Sequence, residues 1–241
     1  VAKESADIII LDDNILSIEK AISYGRTIFK SIRKFIVYQL TVNLCAITIS
    51  VIGPFIGIGT PVTVIQMLWI NMDTLAGLAF SYEPVLKEYM EELPKKRNEA
   101  IINKYMLNEI LVTGFYSSFL CLFFLKSPLI ANLFRKSPND IYLLTAFFGL
   151  FIFISIFNSF NARTTRLNIF SNIFKNKVFL LIMSFVSFVQ ILMIYYGKDI
   201  FRTSGLTINE FIIIIMISIT VIPVDIIRKI YLKVINKDLT I

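Results

Sequence analysis

Histidine is absent from this 241-residue sequence, and cysteine occurs only at Cys45 and Cys121. Zinc and copper sites draw on imidazole and thiolate ligands, so soft-metal chemistry is disfavoured. Any metal handled here is a hard cation held by oxygen. Both cysteines lie inside apolar runs, so no disulfide framework is implied. Charge is scarce too, at 17% of residues. Three motifs of soluble phosphate chemistry are missing: a Walker-type G-x-x-x-x-G-K-[ST], an Asp-Lys-Thr-Gly phosphorylation sequence and a Thr-Gly-Glu loop. The glycine-rich stretch 53–59 falls between two apolar runs and reads as a turn, out of reach of any nucleotide. The sequence opens Val1-Ala2-Lys3, with no initiator methionine and no signal peptide. Processing or excision from a longer chain would each explain that.

What is abundant is apolar. Hydrophobic residues make up 56% of the chain and the mean hydropathy is +0.73, which a soluble domain of this size does not reach. The expected class is an all-α polytopic membrane bundle. The net charge of +7 suggests nucleic acid when taken alone. The basic residues, however, sit in short tracts beside apolar runs, where they orient a membrane protein. No nucleic-acid partner is expected; the bilayer is.

Residues 1–34 are not membrane material. The run Asp7-Ile8-Ile9-Ile10-Leu11, ending in Asp12-Asp13-Asn14, predicts a short buried strand leading into a helix cap. Asp13 or Asn14 would cap the next helix, whose apolar face uses Ile15, Ile18 and Ile22. Ile28, Ile32 and Ile36 then recur every four positions, as in a helical stalk entering the membrane. Six apolar segments follow, at 35–58, 61–82, 107–125, 141–161, 178–196 and 206–227. Each approaches the ~20 residues needed to cross ~30 Å of hydrocarbon. Pro223 and Asp225 fall near the end of the last. With the N-terminus cytoplasmic, 19 of the 24 basic residues lie on the cytoplasmic side. The opposite side keeps only Lys126, Arg135, Lys136, Lys198 and Arg202. The positive-inside bias therefore puts both termini in the cytoplasm. The loop 83–106 carries Glu91-Glu92 and Lys95-Lys96-Arg97. It reads as a solvated loop whose basic end meets lipid head groups, or as a docking surface for a cytoplasmic domain.

The chemistry centres on QMLWINMDTLAGLAFSYEP, residues 66–84. A carboxylate at the centre of a membrane helix costs roughly 2.5–3.5 kcal/mol on insertion scales. Asp73 is therefore a candidate for meeting a cation, a proton or a polar neighbour, and with amide and carbonyl oxygens it suits a hard cation such as Ca2+. Asn43, Asn71, Thr74, Ser155, Asn158, Asn161 and Gln190 also put oxygen or amide groups at membrane depth. A lone serine, threonine or glutamine there is more often helix-to-helix glue.

At these residues the chain resembles a known family. VAKESADIIILDDN followed by AISYGRTIFKSIRKFIVYQLTVN resembles the end of the phosphorylation domain, the stalk and the fifth span of calcium-transporting P-type ATPases. QMLWIN…MDTLAGLAF…EP looks like their sixth span. FNSFNAR, residues 157–163, is similar to the eighth span of the plasma-membrane calcium-pump subgroup, here in its bacterial form. The resemblance implies that 1–25 ends a phosphorylation domain, that 26–34 is the stalk, and that 35–241 holds spans five to ten of ten. An α/β remnant and a stalk would thus precede six transmembrane helices. It implies Asp73 and Asn43 as metal ligands, with Asn71 a third. Ala46 stands where two-site pumps of the reticulum type have a glutamate, and Ser155 where a longer polar ligand is expected; both departures imply a single calcium site. In the family the sixth-span motif is W-x-N-x-x-x-D, whereas here it is Trp69-Ile70-Asn71-Met72-Asp73. On a regular helix a spacing of two sets side chains about 160° apart. Either the helix unwinds here or one ligand is lost.

The implied function is the membrane half of an ATP-driven cation pump in the plasma membrane, with Ca2+ as the transported ion. ATP and Mg2+ would act only through domains absent from this chain. The implied partner is the N-terminal half of the same pump: actuator, nucleotide-binding and phosphorylation domains with spans one to four. No residue here is expected to be catalytic, and the chain alone is not expected to hydrolyse ATP. A secondary carrier or channel subunit using Asp73 stays open, as does a non-functional pump remnant or accessory helix bundle.

Overall fold

The computed structural model describes residues 5–6, 9–12, 14–58, 63–71, 74–95, 99–137 and 139–235. Their regular structure is entirely helical. Helix α1 (Ile15–Phe55) runs unbroken for 41 residues, about 60 Å at 1.5 Å per residue. Stalk and first apolar segment are therefore one rod. Asn14 starts it, its side-chain oxygen accepting the Leu16 N–H at 3.0 Å; this is the expected cap. Pro54 lies in the last turn, and Gly57, at φ +75°, turns the chain back.

The strand expected over 7–11 does not form among its described residues. Ile9 and Ile10 are 46% and 36% exposed and Leu11 is 92% exposed, while Asp7 and Ile8 lie outside the described residues. A strand needs a neighbouring strand for its backbone hydrogen bonds, and the described residues supply none.

Within the second apolar segment residues Val64–Asn71 (α2) and Thr74–Ser81 (α3) are helical, and residues 72–73 lie outside the described residues. After the 83–103 loop come α4 (Lys104–Lys126), α5 (Pro128–Ala131), α6 (Ile141–Arg163), α7 (Lys177–Tyr196), α8 (Lys198–Phe201), α9 (Ile208–Ser218) and α10 (Val221–Ile235). Helices α4, α6 and α7 agree with the expected segments to within three residues. The last segment instead breaks after Ser218 and continues to Ile235. Pro223 has no N–H for the Ile219 carbonyl and its ring crowds that group, so two helices meet there at an angle-tolerant turn. Among the described residues, five helices are long and apolar enough to cross a membrane: α1, α4, α6, α7 and the α9–α10 pair.

Helix α6 is the axis of the bundle. Phe147, Phe148 and Leu150 have no exposed surface, and α6 touches α1, α4, α7, α9 and α10. Helices α1 and α4 form the most extensive contact. Gly114 permits it: a Cβ there would stand 2.7 Å from Leu44 Cδ2. Helix α3 packs between α1 and α7, with Phe80 against Tyr38 and Phe179 at ring separations of 5.8 and 5.7 Å. At the opposite end from the 83–103 loop, Thr207 and Glu210 cap α9 reciprocally, and Arg135 binds Glu210 at 3.0 Å.

Candidate functional site

The long rod α1 is clamped where it leaves the bundle. Arg26 Nη1 donates to the carbonyls of Tyr89 and Glu92, both at 2.6 Å. Lys30 pairs with Glu92, Arg33 with Glu99 at 2.9 Å and Lys34 with Glu83 at 2.7 Å. The Lys30 ammonium also sits 4.3 Å from the Tyr89 ring centroid. Burial, with Glu83 beside it, pushes the Tyr89 phenol well above its ordinary pKa. Three successive turns of α1 thus hold the acidic half of the 83–103 loop and Glu99 beyond it. That half is no free solvated loop; Lys96 and Arg97, the expected lipid-binding end, lie outside the described residues. A cavity of about 350 Å³ opens beside the clamp, lined by Arg33, Lys34, Glu83, Glu109 and Arg163. Arg33 Nε, Arg163 Nε, Glu83 Oε2 and Glu109 Oε1 have no hydrogen-bond partner among the described residues. The space is polar and roomy enough for water to serve them.

Deeper in the bundle, the expected ligands divide. Asn43 is half-buried on α1. Asn71 is the last residue of α2, its side chain not described, and Asp73 lies outside the described residues. A regular helix through both would set them on nearly opposite faces. Helix α2 is fastened at two points. The Trp69 indole N–H donates to Gln190 Oε1 on α7 at 3.2 Å, and Gln66 Nε2 donates to the Phe201 carbonyl at 2.7 Å.

On the side of α1 away from Asn43, Thr41 and Cys45 face Ser117 of α4 and Ser155 and Asn158 of α6 across a cavity of about 10 Å³, room for one water. The hydroxyls of Thr41, Ser117 and Ser155 each donate to a carbonyl one turn back. They satisfy themselves locally, as glue residues do.

Sequence reading missed a buried charge cluster. Arg228 donates to Glu109 at 2.9 Å and to Asp225 at 2.7 Å, and Lys229 pairs with Asp225 at 2.6 Å. Lys229 also caps the end of α6 by donating to the Asn161 and Thr164 carbonyls at 3.1 and 2.7 Å. None of the four side chains is more than 6% exposed. Arg228 and Lys229 count among the basic residues of a tail in the sequence; in the fold they tie α10 to α4 and α6. The available signal was Asp225 followed at i+3 and i+4 by two bases inside an apolar helix.

Residues 59–231 match the family model described as cation transporting ATPase, C-terminus. The chain belongs to that family. This ATPase C-terminal bundle is 34% identical over 230 residues to plasma membrane calcium-transporting ATPase mca-1 of Caenorhabditis elegans, covering 90% of this chain and 18% of that protein. It is 36% identical over 225 residues to plasma membrane calcium-transporting ATPase 1 of Gallus gallus, covering 88% and 18%. With calcium-transporting ATPase 12, plasma membrane-type, of Arabidopsis thaliana the identity is 35% over 211 residues, covering 85% and 20%. The chain therefore spans about a fifth of the length of these relatives.

Proposed function

We propose that this chain is the ion-handling membrane half of an ATP-driven pump that moves Ca2+ across the plasma membrane. Its partner is then the catalytic half of the same pump, which supplies ATP hydrolysis, Mg2+ and the remaining spans. The observation that carries the reading is α1. One helix joins the region outside the apolar segments to the region holding Asn43, with no joint along its 41 residues. Tilting the outer part of such a rod, as phosphorylation of a docked domain would, changes the position of Asn43 and access to the ion. The 83–103 loop, held by Arg26, Lys30, Arg33 and Lys34, moves with it.

In this reading residues 1–25 belong to the phosphorylation domain, 26–34 form the stalk, and α2 with α3 makes the span between α1 and α4. Both termini face the cytoplasm, because that side then carries 19 of the 24 basic residues. Asp73, Asn43 and Asn71 supply oxygens. The test is calcium-dependent phosphoenzyme formation in the pump carrying this chain, with and without Asp73→Asn. Loss of calcium dependence is expected; unchanged dependence removes Asp73 from the role. The isolated chain is expected to show no vanadate-sensitive ATP hydrolysis.

A further inference from the structure

The two buried acids at the α4–α10 contact are held unequally. Asp225 has two bases, Arg228 Nε at 2.7 Å and Lys229 Nζ at 2.6 Å, and no exposed surface. Glu109 has one. Its Oε2 accepts from Arg228 Nη2 at 2.9 Å, and its Oε1 has no hydrogen-bond partner among the described residues. The cavity of about 350 Å³ beside the clamp is lined by Glu109 and by Tyr105 one turn earlier on α4, but not by Asp225, Arg228 or Lys229. A polar space of that size holds water. Of the two acids, Glu109 is therefore the one a proton reaches first and the one that gives up least by taking it.

The other charges around that cavity are engaged elsewhere. On α1, Lys34 pairs with Glu83 of the loop at 2.7 Å and Arg33 with Glu99 at 2.9 Å. On α6, the Arg163 guanidinium donates to the Ile169 and Ser171 carbonyls. The ion pair of Glu109 is Arg228, which also donates to the Tyr105 hydroxyl at 3.3 Å.

Helix α10 is mounted so that it can turn when that pair opens. It starts after the break at Ser218, and the break itself is pinned. Tyr116 of α4 donates to Thr220 Oγ1 at 2.8 Å, and Asn161 Nδ2 of α6 donates to the Val221 carbonyl at 3.1 Å. Beyond the pin, Arg228 ties α10 to α4, and Lys229 ties it to the carbonyls that end α6.

We propose that Glu109 is a proton-reading latch between α4 and α10. With Glu109 ionised, the four buried charges sum to zero. A proton taken from the cavity water turns its carboxylate into a carboxylic acid and leaves two bases sharing Asp225. An uncompensated positive charge at low dielectric is costly. Turning α10 about its pinned break relieves that cost by bringing Arg228 toward the cavity water. Lys229 keeps its hold on α6, so α10 pivots and stays docked. The chain thereby reads the acidity of the side on which the clamp lies, and this holds whether or not the chain serves a calcium pump.

The test is amide exchange of the purified chain in lipid nanodiscs, corrected for intrinsic rates, with the α6 amides as reference. In the wild type, protection of the α10 amides is expected to fall by about tenfold between roughly pH 8 and pH 5 while that of α6 stays level. Glu109→Gln keeps the shape and removes the charge, and is expected to show the loosened α10 at every pH, with no step. Glu88→Gln removes another acid of the same cavity, one that is exposed and paired with Arg166; it is expected to leave the wild-type step in place. Equal protection of α10 at both ends of the range overturns the proposal. So does a loss that α6 shares, which is unfolding of the whole bundle. A step that survives in Glu109→Gln, or vanishes in Glu88→Gln, assigns the proton to another group and is equally fatal. Should Glu109→Gln not fold, the wild type decides alone: the infrared C=O band of a buried carboxylic acid must rise with the α10 step, and a step without that band overturns the latch.

Discussion

The bundle treats polar groups in two opposite ways. Where α4, α6 and α10 meet, two acids and two bases are buried together and neutralise one another: Glu109, Asp225, Arg228 and Lys229. Around α2 and α3, by contrast, the described residues of an apolar stretch are held by neutral groups. Two hydrogen bonds, from the Trp69 indole to Gln190 and from the Gln66 amide to the Phe201 carbonyl, hold α2 to α7 and to the end of α8. The first region is locked, since moving any one charge strands another in a medium of low dielectric. The second is held without charge: Phe80 is buried against Tyr38 and Phe179, and each neutral hydrogen bond contributes about 0.5–1.5 kcal/mol.

The largest effect should come from breaking the frame. Arg228→Leu leaves Glu109 without its guanidinium and Asp225 with Lys229 alone, a loss of about 3–5 kcal/mol. Unfolding of the purified chain in mixed micelles should show this as a lower midpoint. A loss below about 1 kcal/mol would mean that the cluster is hydrated and the frame less rigid than drawn. A smaller cost is expected at the α1–α4 contact. Gly114→Val puts a branched side chain where even a Cβ meets Leu44 Cδ2 at 2.7 Å, for about 1–3 kcal/mol by the same measurement.

Around α2 and α3 the expected signature is reversed. Asp73→Asn should move calcium dependence and leave the unfolding midpoint within about 0.5 kcal/mol of wild type. A large stability change there would erase the contrast between the two regions.

The smallest effect lies at the outer end of α1. The Ser17 hydroxyl, at 2.6 Å, and the Asn14 N–H hold the Asp12 carboxyl below its ordinary pKa of 3.8. A depressed carboxylate supports the fold above its unfolded pKa, and that support fades as pH falls through the folded value. The exchange protection of amides 14–17, corrected for intrinsic rates, should fall as pH drops below 3.8, with the rest of α1 unchanged.

Much of the frame was legible in the residues, because length and hydropathy suffice for helices such as α4, α6 and α7, and Asn14 is a cap by chemistry alone. Two things were hidden, for separate reasons. The pattern of Ile8–Leu11 suits a strand, but a strand is a relation between segments, and its described residues find no partner. Arg228 and Lys229 look like basic residues at a membrane surface because sequence gives their place along the chain and not their neighbours. Only the packing of α10 on α4 and α6 shows them inside. Of the candidate ligands, Asn43 was visible as an amide at membrane depth. The bond from Trp69 to Gln190 was not, since 121 positions separate its two ends.

The unbroken course of α1 has a mechanical consequence. About twenty of its residues precede the apolar segment and about twenty lie within it, roughly 30 Å on each side of Phe35. Pivoted near that residue, the helix works like an oar with equal arms: a 10° swing displaces either tip by roughly 5 Å. At Asn43, about 12 Å past the pivot, the same swing is roughly 2 Å. That is close to the length of a bond from oxygen to a hard cation, so in the proposed pump a modest push outside the bilayer becomes an open-or-shut difference within it.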